Sequence, residues 1–249
     1  MLRSVKALHG YAVRATDGDV GDLEDFYFDD RSWTVRYLVV ETGNWLKGRR
    51  VLVSPIVTGM PKWERQALPV RLTKSQVRNS PPIDVDKPIS RQMEQELHAY
   101  YGWPPYWVST RALAAAQVIK KATGTEAEHI DLTLRSVEEV LGYNIQATDG
   151  NIGYVTDFIV DDEEWVIRYI VVDTRGWLDW LPGKQVLISP CWVHAVAWPE
   201  RDVYVGLSRE AVKNSPEFDP SESVNREYEI RLYDYYGRPK YWTRVQEEQ

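Results

Sequence analysis

The sequence predicts a mainly β protein: two small β-barrels in tandem, each followed by an amphipathic helix, the two related by a pseudo-twofold axis. Three observations carry this expectation. The stretch ATDGDVGDLEDFYFDD from Ala15 to Asp30 returns as ATDGNIGYVTDFIVDD from Ala147 to Asp162. The repetition runs far beyond those sixteen residues. Within each copy, short runs of β-branched and aromatic residues alternate with Pro, Gly and Asp-Gly punctuation, which is how strands and turns are written.

The repetition sets the domain organisation. From Ser4/Ser136 to Lys47/Asp179 the copies align at a constant offset of 132, which places Gly10-Tyr11 on Gly142-Tyr143, Trp33 on Trp165 and Arg36-Tyr37 on Arg168-Tyr169. Copy two then gains Trp180, Leu181 and Pro182, and the offset becomes 135. At that offset Ser54-Pro55 meets Ser189-Pro190, Asn79-Ser80-Pro81 meets Asn214-Ser215-Pro216, and Tyr106-Trp107 meets Tyr241-Trp242. Each unit of roughly 105 residues is of ordinary domain size. The expected boundaries are a first repeat over 1–107, a joint over 108–131 and a second repeat over 132–249. Two alike units in one chain amount to a pseudo-dimer.

The elements follow in order. Tyr11-Ala12-Val13-Arg14 leads into Thr16-Asp17-Gly18, and Asp-Gly between two β-type runs signals a hairpin. WTVRYLVVET and its counterpart WVIRYIVVDT are strands by composition; RRVLVSP, PKWE and ALPVRL supply further short ones. Six or so strands in about 70 residues point to a closed or nearly closed barrel, since closure removes exposed edges. TKSQVRNSP reads as one helical turn capped by Thr73 and stopped before Pro81, with Ser208 as the matching cap. Ile89, Met93, Leu97 and Tyr100 then form an apolar helix face, repeated by Val224, Tyr228, Leu232 and Tyr235. In the joint, RALAAAQVIKK favours a short helix and Gly124 with its polar neighbours a break.

The repeated acids admit two readings, a calcium loop or turns. A calcium loop of the EF-hand type needs ligands at alternate positions, Gly at the sixth and Glu at the twelfth. Counted from Asp17, those positions hold Asp22 and Phe28, and copy two replaces Asp19 and Asp22 by Asn151 and Tyr154. The acids therefore mark turns, and no metal or other cofactor is expected. The four histidines (His9, His98, His129 and His194) neither align across the copies nor form a metal-ligand spacing. Cys191 is the single cysteine, so no internal disulfide exists, and it aligns with Ile56. No GxSxG, phosphate loop or GxGxxG occurs. The sequence offers no catalytic constellation.

Composition narrows the partners. Apolar residues make up 43% and charged residues 27%, the balance of a water-soluble globular chain. A formal charge of −7 without clustered Lys and Arg argues against nucleic acid. No run approaches the about 18 apolar residues of a membrane span, and MLRSVKALHGYAV lacks the apolar core of a signal peptide. A cytoplasmic location is expected. The aromatics are mostly amphipathic, 11 Trp and 15 Tyr against 4 Phe, which suits half-buried surfaces and partner contacts.

A strand ending in TDG, the second Gly of DGxxG, Asp-Phe, the WxxRYLVV-type strand, VLVSP and a closing LTxxxVxNSP together resemble the PRC-barrel family. They do so twice, over about Ser4–Asp84 and Ser136–Asp219. The resemblance implies a small β-barrel of the type in the cytoplasmic part of the photosynthetic reaction-centre H subunit and in a ribosome maturation factor. It also implies a bacterial or archaeal binding and assembly module with no shared catalytic residues.

Two functional expectations result. The first is a non-enzymatic module that binds a protein partner; the second is a sensor holding a small molecule or cofactor between the two barrels. For the first, the candidate contact surface is Trp45-Leu46 and, in copy two, Trp177-Leu178 with the inserted Trp180 and Leu181. These follow a polar, Gly-containing turn, and large apolar residues in a surface loop call for a cover. The competing reading is that the tryptophans cap their own barrel ends.

Overall fold

The computed structural model describes residues 1–82, 89–107, 134–175 and 183–246. In chain order, the first copy supplies β1 (Leu2–Ser4), α1 (Val5–Leu8), β2 (Ala12–Ala15), β3 (Gly18–Asp29), β4 (Thr34–Glu41), β5 (Arg50–Val53), β6 (Ala67–Pro69), α2 (Lys74–Arg78) and α3 (Arg91–Tyr101). The second supplies β7 (Leu134–Ser136), α4 (Val137–Val140), β8 (Asn144–Ala147), β9 (Gly150–Asp161) and β10 (Val166–Asp173). After these come β11 (Gln185–Ile188), β12 (Val193–Ala197), β13 (Asp202–Val205), α5 (Arg209–Lys213) and α6 (Arg226–Tyr236). The mainly β class holds. The expected helix at RALAAAQVIKK lies outside the described residues.

The chain divides into two compact units. The repeat-1 unit comprises Gly10–Ser32 and Arg36–Arg135; the repeat-2 unit comprises Met1–His9, Trp33–Val35 and Ser136–Gln249. The repeat-2 unit thus takes in two short segments from early in the chain, and the pairing of β9 supplies the reason. Its first half pairs antiparallel with β8, Ile145 opposite Gly153. Its second half extends beyond the end of β8, and there β1 takes the open edge, with Leu2, Arg3 and Ser4 opposite Asp161, Val160 and Ile159. An unpaired run of backbone N–H and C=O groups is thereby satisfied. Side chains reinforce the docking: Ser4 Oγ donates to Asp157, the Lys6 N–H donates to Asp157 Oδ1 at 3.2 Å, and Val5 and Leu8 are buried. Likewise, the Val35 N–H donates to the Trp165 carbonyl and the Ile167 N–H to that of Trp33. In the repeat-1 unit, the edge of β3 pairs with β7.

Each unit has the same strand plan. In the repeat-1 unit β2 pairs antiparallel with β3 and parallel with β6, and β4 pairs with β5. In the repeat-2 unit β8 pairs antiparallel with β9 and parallel with β13, while β10 lies between β9 and β11. Val13, Val20, Leu23, Phe26 and Leu52 fill the first core, and Ile145, Ile152, Phe158 and Leu187 the second. Glycine is required in each where a neighbouring strand passes close. A Cβ on Gly21 would sit 1.9 Å from the Glu41 carbonyl oxygen, and one on Gly153 would sit 2.0 Å from that of Asp173. The second glycine of DGxxG thus lets the end of a neighbouring strand cross closely over the long one.

The repeated acids work as turn and cap groups. Asp17 accepts the Lys74 N–H at 2.8 Å and Asp149 the Arg209 N–H at 2.7 Å. Thr73 and Ser208 cap the same short helices, Thr73 in a reciprocal capping box with Gln76. Asp29 accepts the N–H groups of Arg31 and Ser32. Among the described residues, no cluster of His, Cys, Asp and Glu is placed to hold a metal ion.

Of the faces expected for the long helices, Ile89, Leu97, Tyr228 and Leu232 are buried, while Tyr100 and Tyr235 point outward. The helices begin at Arg91 and Arg226, after Ile89 and Val224. In α3 the buried residues are Arg91, Glu94, Leu97 and His98, whereas Tyr100 is 40% exposed. In α6 they are Tyr228, Glu229, Leu232 and Tyr233. The buried face of each helix carries a carboxyl group. Both helices end at a left-handed glycine, Gly102 and Gly237.

Candidate functional site

A buried acid held against its own barrel recurs in both units. In the repeat-1 unit, Glu94 projects from α3 toward the fully buried Tyr37 of β4, whose hydroxyl lies 3.0 Å from Glu94 Oε1. The Tyr106 hydroxyl donates to the same oxygen, and Arg91 Nη1 donates to Oε2. Tyr37 also meets His98 Nε2 at 2.8 Å, and His98 Nδ1 lies 3.2 Å from the Pro104 carbonyl oxygen. Aromatic rings wall the imidazole: Trp103 at 5.7 Å and Trp107 at 4.6 Å between centroids. Arg91 stacks over Trp107 at 4.4 Å, and Arg36, which pairs with Asp29, lies 4.0 Å over the Tyr106 ring.

The repeat-2 unit builds a similar clasp, with its arginine half exposed. Tyr169 donates to Glu229 Oε1 at 2.7 Å, Tyr241 donates to it at 2.9 Å, and Arg226 pairs with Oε2 at 2.8 Å. Arg168 covers the Tyr241 ring at 4.3 Å, and Arg226 covers that of Trp242 at 4.1 Å. Where the first unit has His98, the second has Tyr233, whose hydroxyl donates to Ser189 Oγ at 3.3 Å.

The electrostatics follow from this packing. Burial pushes the Glu94 carboxyl above the ordinary carboxylate range, against the opposing pull of Tyr106, Arg91 and Tyr37. Burial holds the His98 imidazole below its usual value, against the backbone groups of Pro104 and Trp103. Burial, with the neighbouring acid second, drives the Tyr37 and Tyr169 hydroxyls far upward, so both keep their protons. Both oxygens of each buried acid are occupied by the chain's own donors. The arrangement fastens a helix to a strand.

Trp45 of the candidate contact surface lies elsewhere. Trp45 and Leu46 fall in a short 3-10 turn, Gly43–Leu46, and both are half-buried. Trp45 Nε1–H donates to the Val20 carbonyl, and Lys74 Nζ lies 4.5 Å over its ring. Trp45 is thus seated on its own unit, against β3 and α2. Trp177, Leu178, Trp180 and Leu181 lie outside the described residues.

Apolar spacing does not single out Arg91, Glu94 and Tyr37 as a group, although the sequence carries a signal for them. At the offset of 135, Arg91 and Glu94 fall on Arg226 and Glu229, three residues apart in each copy. A glutamate repeated inside an otherwise apolar helix stripe marks a buried acid, and its arginine is buried in the first copy and 53% exposed in the second.

Among the described residues, no helix is long and apolar enough to cross a membrane. A search among curated proteins finds no match to the chain. A family model described as the PRC-barrel domain matches residues 3–69 and again residues 133–205, together more than half of the chain. The first match ends at β6 and the second at β13, so each clasp joins a strand tyrosine inside the domain to a helix beyond it. By these two matches, and by the shared strand plan of its two units, the chain belongs to the PRC-barrel domain family and carries the domain twice.

Proposed function

We propose that the chain is a non-catalytic protein-interaction and assembly module, its two barrels serving as scaffold. The single observation that carries the reading is the saturation of the buried acids: Glu94 and Glu229 spend both oxygens on fastening α3 and α6. The most chemically loaded groups of the described residues are committed to architecture. PRC-barrel domains in general act as interaction modules, and the net charge of −7 favours a protein over a nucleic acid. The contact surface proposed is the sequence stretch that copy two enlarges to WLDWLPGK. Insertions in surface loops cost little in stability, and apolar ones suit a contact.

Replacing Trp180 and Leu181 together by Ser tests this. Affinity capture with the full chain, in its source cells, should recover a defined protein partner that the double variant loses, while both units still unfold cooperatively. Native mass spectrometry of the purified chain distinguishes the sensor reading. A stoichiometric small molecule retained through purification would favour that reading and count against the interaction module.

A further inference from the structure

The two clasps differ in a way that proton counting exposes. In the repeat-1 unit four hydrogen bonds remain once Arg91 has used its own protons: Tyr106 to Glu94, Tyr37 to Glu94, Tyr37 to His98, and His98 to the Pro104 carbonyl. Each needs one proton. The Pro104 oxygen is only an acceptor, so Nδ1 must carry a hydrogen to meet it. With His98 neutral and Glu94 ionised, the available protons are those of Tyr106, Tyr37 and one imidazole nitrogen, which makes three. One bond is left with two lone pairs facing each other. A single added proton completes all four bonds. It sits on His98 Nε2 with Tyr37 donating to Glu94, or on Glu94 with Tyr37 donating to His98.

The repeat-2 unit has no such deficit. Tyr169, Tyr241, Arg226 and Tyr233 each bring the proton for the bond they make to Glu229 or Ser189. We propose that the Glu94–Tyr37–His98–Pro104 chain binds one proton as a unit, so that the repeat-1 clasp responds to pH through a group that the repeat-2 clasp lacks. Acidification supplies the missing proton and fastens α3 more tightly to β4.

The groups that face this chain are all part of the accounting. Tyr37 and Arg36 come from β4, and Arg91 and Glu94 from α3. Trp103, Tyr106 and Trp107 come from the segment after the helix. Arg91 and Arg36 are cations that oppose a second positive charge, which favours sharing the proton with Glu94 over a free imidazolium. The raised carboxyl and the lowered imidazole agree with that sharing.

Nuclear magnetic resonance on the full chain tests the proposal at two nuclei. The Glu94 side-chain carboxyl carbon and the His98 imidazole nitrogens should report one common midpoint, above the ordinary carboxylate range. Separate midpoints, or no proton uptake at either nucleus, would overturn the proposal. Glu94→Gln gives a second arm. Its amide can donate to Tyr37 and Tyr106 and accept from Arg91, completing the bonds with His98 neutral. The His98 midpoint should then fall by about one pH unit or more, a tenfold loss of proton affinity. An unchanged midpoint in a folded Glu94→Gln chain would refute the shared proton. Should that variant fail to fold, His98→Tyr, which installs the side chain of the second repeat, should abolish the Glu94 response over the same range, and a Glu94 midpoint that persists would refute it equally.

Discussion

Removing the hydroxyl of Tyr169 while keeping its ring isolates what the clasp contributes to the repeat-2 unit. Tyr169 is fully buried, so Tyr169→Phe leaves apolar burial unchanged and deletes one hydrogen bond of 2.7 Å to an acid paired with Arg226. Bonds to charged partners contribute about 1.5–3 kcal/mol. Tyr241 still donates to the same oxygen, which places the expected loss near the middle, about 2 kcal/mol. Glu229→Leu should cost at least as much, roughly 2–5 kcal/mol, because two hydroxyls lose their acceptor, whereas the half-exposed Arg226 turns to solvent. In the double variant the strand and the helix would meet through two apolar side chains, so the two costs should fail to add by about 2 kcal/mol. Because the chain has two units, a single melting curve does not report one transition. Urea-dependent hydrogen exchange, read by mass spectrometry on peptides from β10 and α6, follows the repeat-2 unit alone. Costs that add to within about 0.5 kcal/mol would show that Tyr169 and Glu229 do not act together, and would refute the clasp.

Three further outcomes are expected. Gly153→Ala should destabilise the repeat-2 unit by roughly 2–4 kcal/mol, since its Cβ would overlap the Asp173 carbonyl and its φ is +132°; a urea midpoint within error of the parent would contradict the close crossing. The Arg175 guanidinium, with its backbone N–H, holds the Asp173 carboxyl below the usual range while burial pulls it upward. An acid depressed in the folded state contributes stability that is full above its unfolded value near about 4 and is lost as pH falls through its folded value. Asp173→Asn should therefore lower stability at pH 7 and flatten the decline below about pH 4, as acid titration of the repeat-2 unit would reveal. Thermal melts with and without EDTA should coincide, because Asp17 and Asp149 are spent on the N–H groups of Lys74 and Arg209. A fall of several degrees with chelator would reopen the calcium reading.

The duplication, the Asp-Gly turns and the Thr73 and Ser208 caps are legible in the sequence because each is written in local chemistry. The regrouping of β1 is not, and the reason is physical. Leu2-Arg3-Ser4-Val5 and Leu134-Arg135-Ser136-Val137 are identical, so each would present the same side chains to either barrel. Pattern reveals that such a strand exists, and only pairing reveals whose edge it covers. The full inward face of the helix escapes the sequence for a related reason. Ile89 and Leu97 of the apolar stripe are buried, yet the tertiary partner Tyr37 also draws Arg91, Glu94 and His98 inward, and Tyr100 is left outside. Hydrophobic spacing cannot register a carboxyl group whose burial is made favourable by donors that come from another element. The turn that carries Trp45 is visible in its neighbours, but the Val20 carbonyl and Lys74 that seat the ring lie 25 and 29 residues away in sequence.

Native-state hydrogen exchange tests the central claim, that each terminal helix is an integral part of its barrel held by a buried acid. If Glu94 and Glu229 fasten α3 and α6 as described, central amides of both helices should exchange only with the global opening of their units, at the same free energy as amides of β4 and β10. Exchange of α3 and α6 through a local opening several kcal/mol below that of the strands would contradict it.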